Sequence, residues 1–138
     1  MNNLKNTCNQ KYLRQSPYSV KETAERLLGK LAEYPSIMIV ARVDQRKVSE
    51  YIDVKINDAE CLLFQNRALV GKIVSTNIDA GFELPIKAFI WQADSGQVWI
   101  RCTDITHMND AYELNGAHGA ISAIYSLLPA WLDYTVSL

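Results

Sequence analysis

The sequence predicts an α+β fold in which about five antiparallel strands form a sheet with helices against one face. Three observations carry that expectation. Residues 19–34 read as an amphipathic helix behind an explicit start signal. Residues 85–103 read as a hairpin. Between and after them, short β-rich runs and short helical runs follow one another without a repeat. With 138 residues, 49% of them hydrophobic and 21% charged, the chain suits one core. Residues 1–10 are expected to be a loose leader and residues 11–138 a single domain.

The elements follow in order. Lys11 to Gln15 can form a short first strand, closed by Ser16-Pro17. Ser19-Val20-Lys21-Glu22 is a capping box, the hydroxyl and the carboxylate each positioned to satisfy an orphan backbone N–H. Val20, Thr23, Ala24, Leu27, Leu28 and Leu31 then recur at helical spacing, and Pro35 ends the helix. Ile37 to Val43 is apolar on both parities and reads as an interior strand. Asp44 can cap a helical stretch reaching Ile56, and Cys61 to Gln65 is the next strand. A short helix is expected within Asn66 to Thr76, and Ala80-Gly81 signals a turn.

Pro85 to Gln92 and Gln97 to Thr103 are strands joined by Ala93-Asp94-Ser95-Gly96. Alternation puts Lys87, Phe89 and Trp91 on one face, with Ile86, Ala88 and Ile90 on the other. The second strand sets Trp99, Arg101 and Thr103 against Val98, Ile100 and Cys102. Asp104 can cap a helix carrying Ile105 and Met108, which Gly116 and Gly119 interrupt. The last helix, from about Ala120 to Asp133, has a stripe of Ile121, Ile124, Tyr125, Leu128, Trp131 and Leu132, with a bend expected at Pro129.

Composition excludes several functions. A net charge of −1, with no basic stripe, argues against nucleic-acid binding. No apolar run has the length of a membrane span, and the polar N-terminus lacks a secretory core. Cys8, Cys61 and Cys102 show no metal-ligand spacing, so reduced thiols, a cytoplasmic location and no metal or cofactor are expected. His107 and His118 are too far apart to bind zinc from one helix face and read as ordinary surface histidines. Cys61 and Cys102 read as buried, inert thiols, and Phe89, Trp91 and Trp99 as cross-strand pairs rather than a stacking platform.

A resemblance emerges from Leu62-Leu63-Phe64-Gln65-Asn66, from Asn77-Ile78-Asp79-Ala80-Gly81-Phe82-Glu83-Leu84-Pro85-Ile86-Lys87, and from Trp91 with Gly96-Gln97-Val98-Trp99. Together with Ser16, Tyr18, Ser19, Glu22 and Thr23 at the helix entry, and Asp104, these resemble the bacterial and archaeal family catalogued as domain of unknown function 302. The resemblance implies a β-α-β(4)-α arrangement similar to the TATA-binding-protein fold, and no established activity. It also marks departures. Gln45 stands where the family commonly has His, and Tyr112-Glu113 where it has His-Gly.

Asp44, Asn66, Lys87 and Asp104 remain as polar residues in matching places, and they are the candidate ligand-binding residues. Each also has a structural role to offer: Asp44 and Asp104 as caps, Asn66 in a turn, Lys87 in an ion pair. The sequence leans to a non-catalytic small-ligand-binding or regulatory module, its ligand held between sheet and C-terminal helix. The alternatives are a self-associating interaction protein and an enzyme using Asp44, Asn66 and Lys87, which must then share one cleft. A homodimer is expected, closed over the aromatic face of the hairpin unless the Trp131 end of the last helix covers it.

Overall fold

The computed structural model describes residues 9–116 and 119–138, the Tyr125 side chain excepted. Most of the expected leader, with Cys8, and His118 lie outside the described residues.

A 3-10 turn, Gln10–Tyr12, precedes strand β1 (Leu13–Ser16). The strand starts two residues later than predicted, because Asn9 caps the turn by accepting the Lys11 N–H. Helix α1 (Val20–Leu31) begins where the capping box places it, the Ser19 hydroxyl accepting the Glu22 N–H at 3.0 Å. Leu27 and Leu31 are buried and Leu28 is half-buried. Strand β2 (Ile37–Asp44) leads into helix α2 (Gln45–Ser49), a 3-10 turn (Glu50–Ile52) and strand β3 (Ala59–Asn66). Helix α3 (Val70–Thr76) and a 3-10 turn (Ile78–Glu83) connect to the hairpin of β4 (Ile86–Gln92) and β5 (Val98–Cys102). Gly96, at φ 92°, takes the left-handed position of the hairpin loop. Helices α4 (Ile105–Tyr112) and α5 (Ala120–Val136) complete the chain, α5 running through Pro129 as one element.

The five strands are ordered β1-β5-β4-β3-β2, every neighbouring pair antiparallel. The expected β-α-β(4)-α order is observed, but one strand is misplaced. β2 lies at the edge of the sheet, not in its interior. Apolar residues on both parities report side-chain character, not lateral neighbours, and here Met38, Ile39 and Val40 are 42–43% exposed. A bulge between Ile39 and Ala41 shifts the register around them.

The core fills the space between one sheet face and the helices. Ile86, Ala88, Ile90, Val98 and Ile100 contribute from the hairpin, and Leu128, Trp131 and Leu132 from α5. Trp131 packs in this layer, its ring 5.2 Å from that of Tyr34. It therefore does not cover the aromatic face of the hairpin. The buried hydroxyls of Ser16 and Thr23 share a hydrogen bond of 2.7 Å, and Thr23 donates to the Ser19 carbonyl.

Arg26 ties α1 to the end of α5. Its Nε donates to the Thr135 carbonyl at 2.7 Å, and its Nη2 donates to the carbonyls of Tyr134 and Ser137. The guanidinium lies 4.4 Å from the ring centre of Tyr18 and 5.5 Å from that of Tyr134.

Candidate functional site

With the helices on one face, the alternate side chains of β3, β4 and β5 meet on the other. Trp91 stands opposite both Ala59 and Trp99, and Phe89 opposite both Cys61 and Arg101. Lys87 faces Leu63 across the strand pair. The rings of Phe89 and Trp91 stack at 5.4 Å and 18°. The end of the hairpin is fixed by a reciprocal pair, the Lys87 N–H donating to the Thr103 hydroxyl and the Thr103 N–H to the Lys87 carbonyl.

Of these, Cys61, Leu63, Lys87, Phe89, Arg101 and Thr103 line a broad hollow of about 830 Å³ whose walls include Gln45, Phe82, Glu83, Asp104 and His107. Its charges are unevenly engaged. The Asp104 carboxylate caps α4 by accepting the His107 N–H at 3.0 Å, and Glu83 accepts the Tyr112 hydroxyl at 2.9 Å. That hydrogen bond raises the Tyr112 pKa. Lys87 and Arg101 make no ion pair or side-chain hydrogen bond among the described residues.

Neither described thiol is activated. Burial pushes the Cys61 pKa up, with Lys87 pulling partly back, and burial takes Cys102 to about 12. Cys61 belongs to the open face and Cys102 to the helix face, as their register positions require.

The four candidate residues separate. Lys87 and Asp104 line the open-face hollow. Asp44 caps α2 by accepting the Lys47 N–H, and lies in a different hollow of about 520 Å³ with Lys21, Arg42 and Glu60. There Arg42 pairs with the buried Glu60, a hydrogen bond that raises the arginine pKa. Asn66 accepts the Ala68 N–H in a turn, as a structural role requires, at the mouth of an apolar crevice. Asp44 and Asn66 stand at opposite ends of the β2–β3 pair, opposite Glu60 and Ile37 respectively. That separates them by roughly 20 Å along the strands. Asp44, Asn66 and Lys87 therefore do not share a cleft. The ligand site expected between sheet and C-terminal helix is not formed either: the crevice there holds about 30 Å³, the space of a water molecule.

Arg101 and His107 belong to the hollow although the sequence marks neither as a binding residue. The signal for Arg101 was present, since the hairpin register puts it on the same face as Lys87 and Phe89. His107 depends on where α4 packs, which no local pattern encodes. Two departures from the family wording fall at this hollow, Gln45 in its wall and Tyr112 bonded to Glu83, whereas a third, Gln65 and Arg67 flanking Asn66, lies away from it.

Among known proteins, the chain resembles three fluoride-specific ion channels. FluC 1 of Brucella suis biovar 1 (strain 1330) and FluC 1 of Brucella abortus biovar 1 (strain 9-941) are each 29% identical over 90 residues. So is FluC 2 of Brucella melitensis biotype 1. The match takes in 65% of this chain but only 33–35% of theirs, so the chain spans about a third of the relatives' length. No helix among the described residues is long and apolar enough to cross a membrane. In fold, the chain matches the uncharacterized conserved protein DUF302 from Bacillus stearothermophilus with a TM-score of 0.78 at 18% identity. That match covers 90% of this chain and 96% of the other. The model of the domain of unknown function DUF302 matches residues 12–129, and the chain belongs to that family.

Proposed function

We propose that this chain is a non-catalytic binding module that takes a small organic anion on the open face of its sheet. One observation carries the reading: among the described residues Lys87 and Arg101 have no carboxylate partner, and they stand over a largely apolar floor. Two neighbouring cations repel, and an anion seated between them turns that repulsion into attraction. The hollow's volume of about 830 Å³ falls in the range of small-molecule sites. Phe89, its ring held by stacking on Trp91, offers a flat apolar surface beside the cations for the body of the ligand. The relatives named as fluoride-specific ion channels suit a reading in which the ligand is an anion.

Thermal unfolding with benzoate, citrate, inorganic phosphate and sodium fluoride, each against sodium chloride, tests the proposal. Benzoate at about a hundredfold over its dissociation constant is expected to stabilise the wild type by about 2.7 kcal/mol, and Lys87→Ala and Arg101→Ala lose that gain. Equal responses in wild type and variants would sink it. A response to fluoride alone would replace the organic anion with a halide.

The same reading takes the chain to be a homodimer, because its described surface carries more large apolar side chains than a monomer needs to expose. It also takes the location to be cytoplasmic, which the free thiols of Cys61 and Cys102 among the described residues suit.

A further inference from the structure

We infer that the anion seated at Lys87 and Arg101 also carries an ammonium group, so that the open-face hollow takes an amino acid with an aromatic side chain. This rests on the anion-binding reading above and names the class of ligand. The charge of the hollow is the starting point. Besides its two cations it is lined by the carboxylates of Glu83 and Asp104, and the formal charges sum to zero with His107 counted as neutral. A plain anion meets attraction and repulsion together there, whereas a ligand bearing both charges can answer each.

The opposite charges share the hollow without pairing. Among the described residues no ion pair joins either carboxylate to either cation. The cations belong to the floor: Arg101 stands directly opposite Phe89, and Lys87 lies two places before Phe89 on the same face. The Lys87 ammonium is close enough to act on the Cys61 thiol, which keeps it over the sheet. The carboxylates belong to the wall at one end of the hairpin, Glu83 just before β4 begins and Asp104 just after β5 ends.

Both carboxylates are half-buried and held from behind. Asp104 spends Oδ1 on the His107 N–H, and Glu83 spends Oε1 on the Tyr112 hydroxyl. The other oxygen of each, Oδ2 and Oε2, has no donor among the described residues. A positive floor and a negative wall therefore stand fixed before any ligand arrives, and that preorganisation favours binding. An ammonium brings three N–H donors and no acceptor, which suits unfilled carboxylate oxygens. In an amino acid the carboxylate, the ammonium and the side chain diverge from one carbon. They meet here the floor cations, the wall carboxylates and the ring of Phe89 in turn.

Isothermal titration calorimetry on the whole chain with phenylalanine and 3-phenylpropionate, which differ only in the amino group, tests this. The wild type is expected to bind phenylalanine at least about tenfold more tightly. The double variant Glu83→Gln with Asp104→Asn keeps an amide oxygen for the Tyr112 hydroxyl and for the His107 N–H. It is expected to reverse the preference, losing phenylalanine and gaining 3-phenylpropionate, since two repelling charges are gone. Should it fail a circular-dichroism check, Glu83→Gln alone stands in and is expected to narrow the preference. A wild type that binds 3-phenylpropionate as tightly as phenylalanine would overturn the inference and leave the anion reading standing. A preference that survives the variants unchanged would also overturn it. If neither compound binds, both the inference and the anion reading fall.

Discussion

On β4, Ile86, Ala88 and Ile90 are at most 6% exposed, while the residues alternating with them, Lys87, Phe89 and Trp91, remain open or half-open to solvent. One strand thus contributes to two surfaces of different chemistry. The helix-covered face is mainly aliphatic and closed, and a methylene lost from it leaves a void that neighbours cannot fill. The open face is aromatic and cationic, and its side chains can be cut back with little collapse. Stability is concentrated on one side of the sheet and contact chemistry on the other, so the cost of a substitution follows the face more than the residue type.

The largest expected effect lies on the closed face. Leu27→Ala should cost about 2–5 kcal/mol in urea unfolding, and the half-buried Leu28→Ala clearly less. A loss under half a kcal/mol at Leu27 would mean that α1 does not seal that face. Next is the pH response of the closed face. The Cys102 thiol is pushed up to about 12 in the fold, so below pH ~9 the neutral form is common to folded and unfolded chains. Above that the unfolded chain ionises first, and stability should fall by up to about 1.4 kcal/mol per pH unit towards pH 12. Unfolding at pH 9.5 and 10.5 should show a shallower fall in Cys102→Ala than in the wild type; identical slopes would mean that solvent reaches the thiol.

Trp91→Ala removes a larger side chain but from the open face, so about 1 kcal/mol is expected, mostly its stack on Phe89. A loss matching Leu27→Ala would show the open face to be covered in solution, and the comparison would fail. The smallest effect has the opposite sign. Glu113 adopts φ 52°, a left-handed conformation, at the end of α4. Glu113→Gly should stabilise by up to about 1 kcal/mol in the same assay.

The parts of the fold legible in the sequence were those with local signals. Ser19, Asp44 and Asp104 all accept the backbone hydrogen bonds expected of helix caps. The hairpin and its two faces were readable because a short loop with Gly96 sets both. The edge position of β2 was not, because apolarity on both parities describes a strand's faces and says nothing of its flanks. The site was half legible for a related reason. Lys87 and Asp104 meet because both lie near the end of one hairpin, whereas Asp44 and Asn66 were divided by a β2–β3 register that the intervening connection conceals. The position at Glu113 carried a signal of its own, since the family wording has Gly where this backbone turns left-handed.

The clamp of Arg26 on the end of α5 has a kinetic consequence. Terminal turns of helices ordinarily fray independently, opening and closing many times for each global unfolding. Here the carbonyls of Tyr134, Thr135 and Ser137 are held by a guanidinium rooted in α1 and flanked by two tyrosine rings. Opening the last turn of α5 therefore means pulling that cation out of its aromatic setting and stripping it of three acceptors at once. The final turn should exchange its amide hydrogens almost as slowly as the centre of the helix, so that the two helices lining the core open as one cooperative unit.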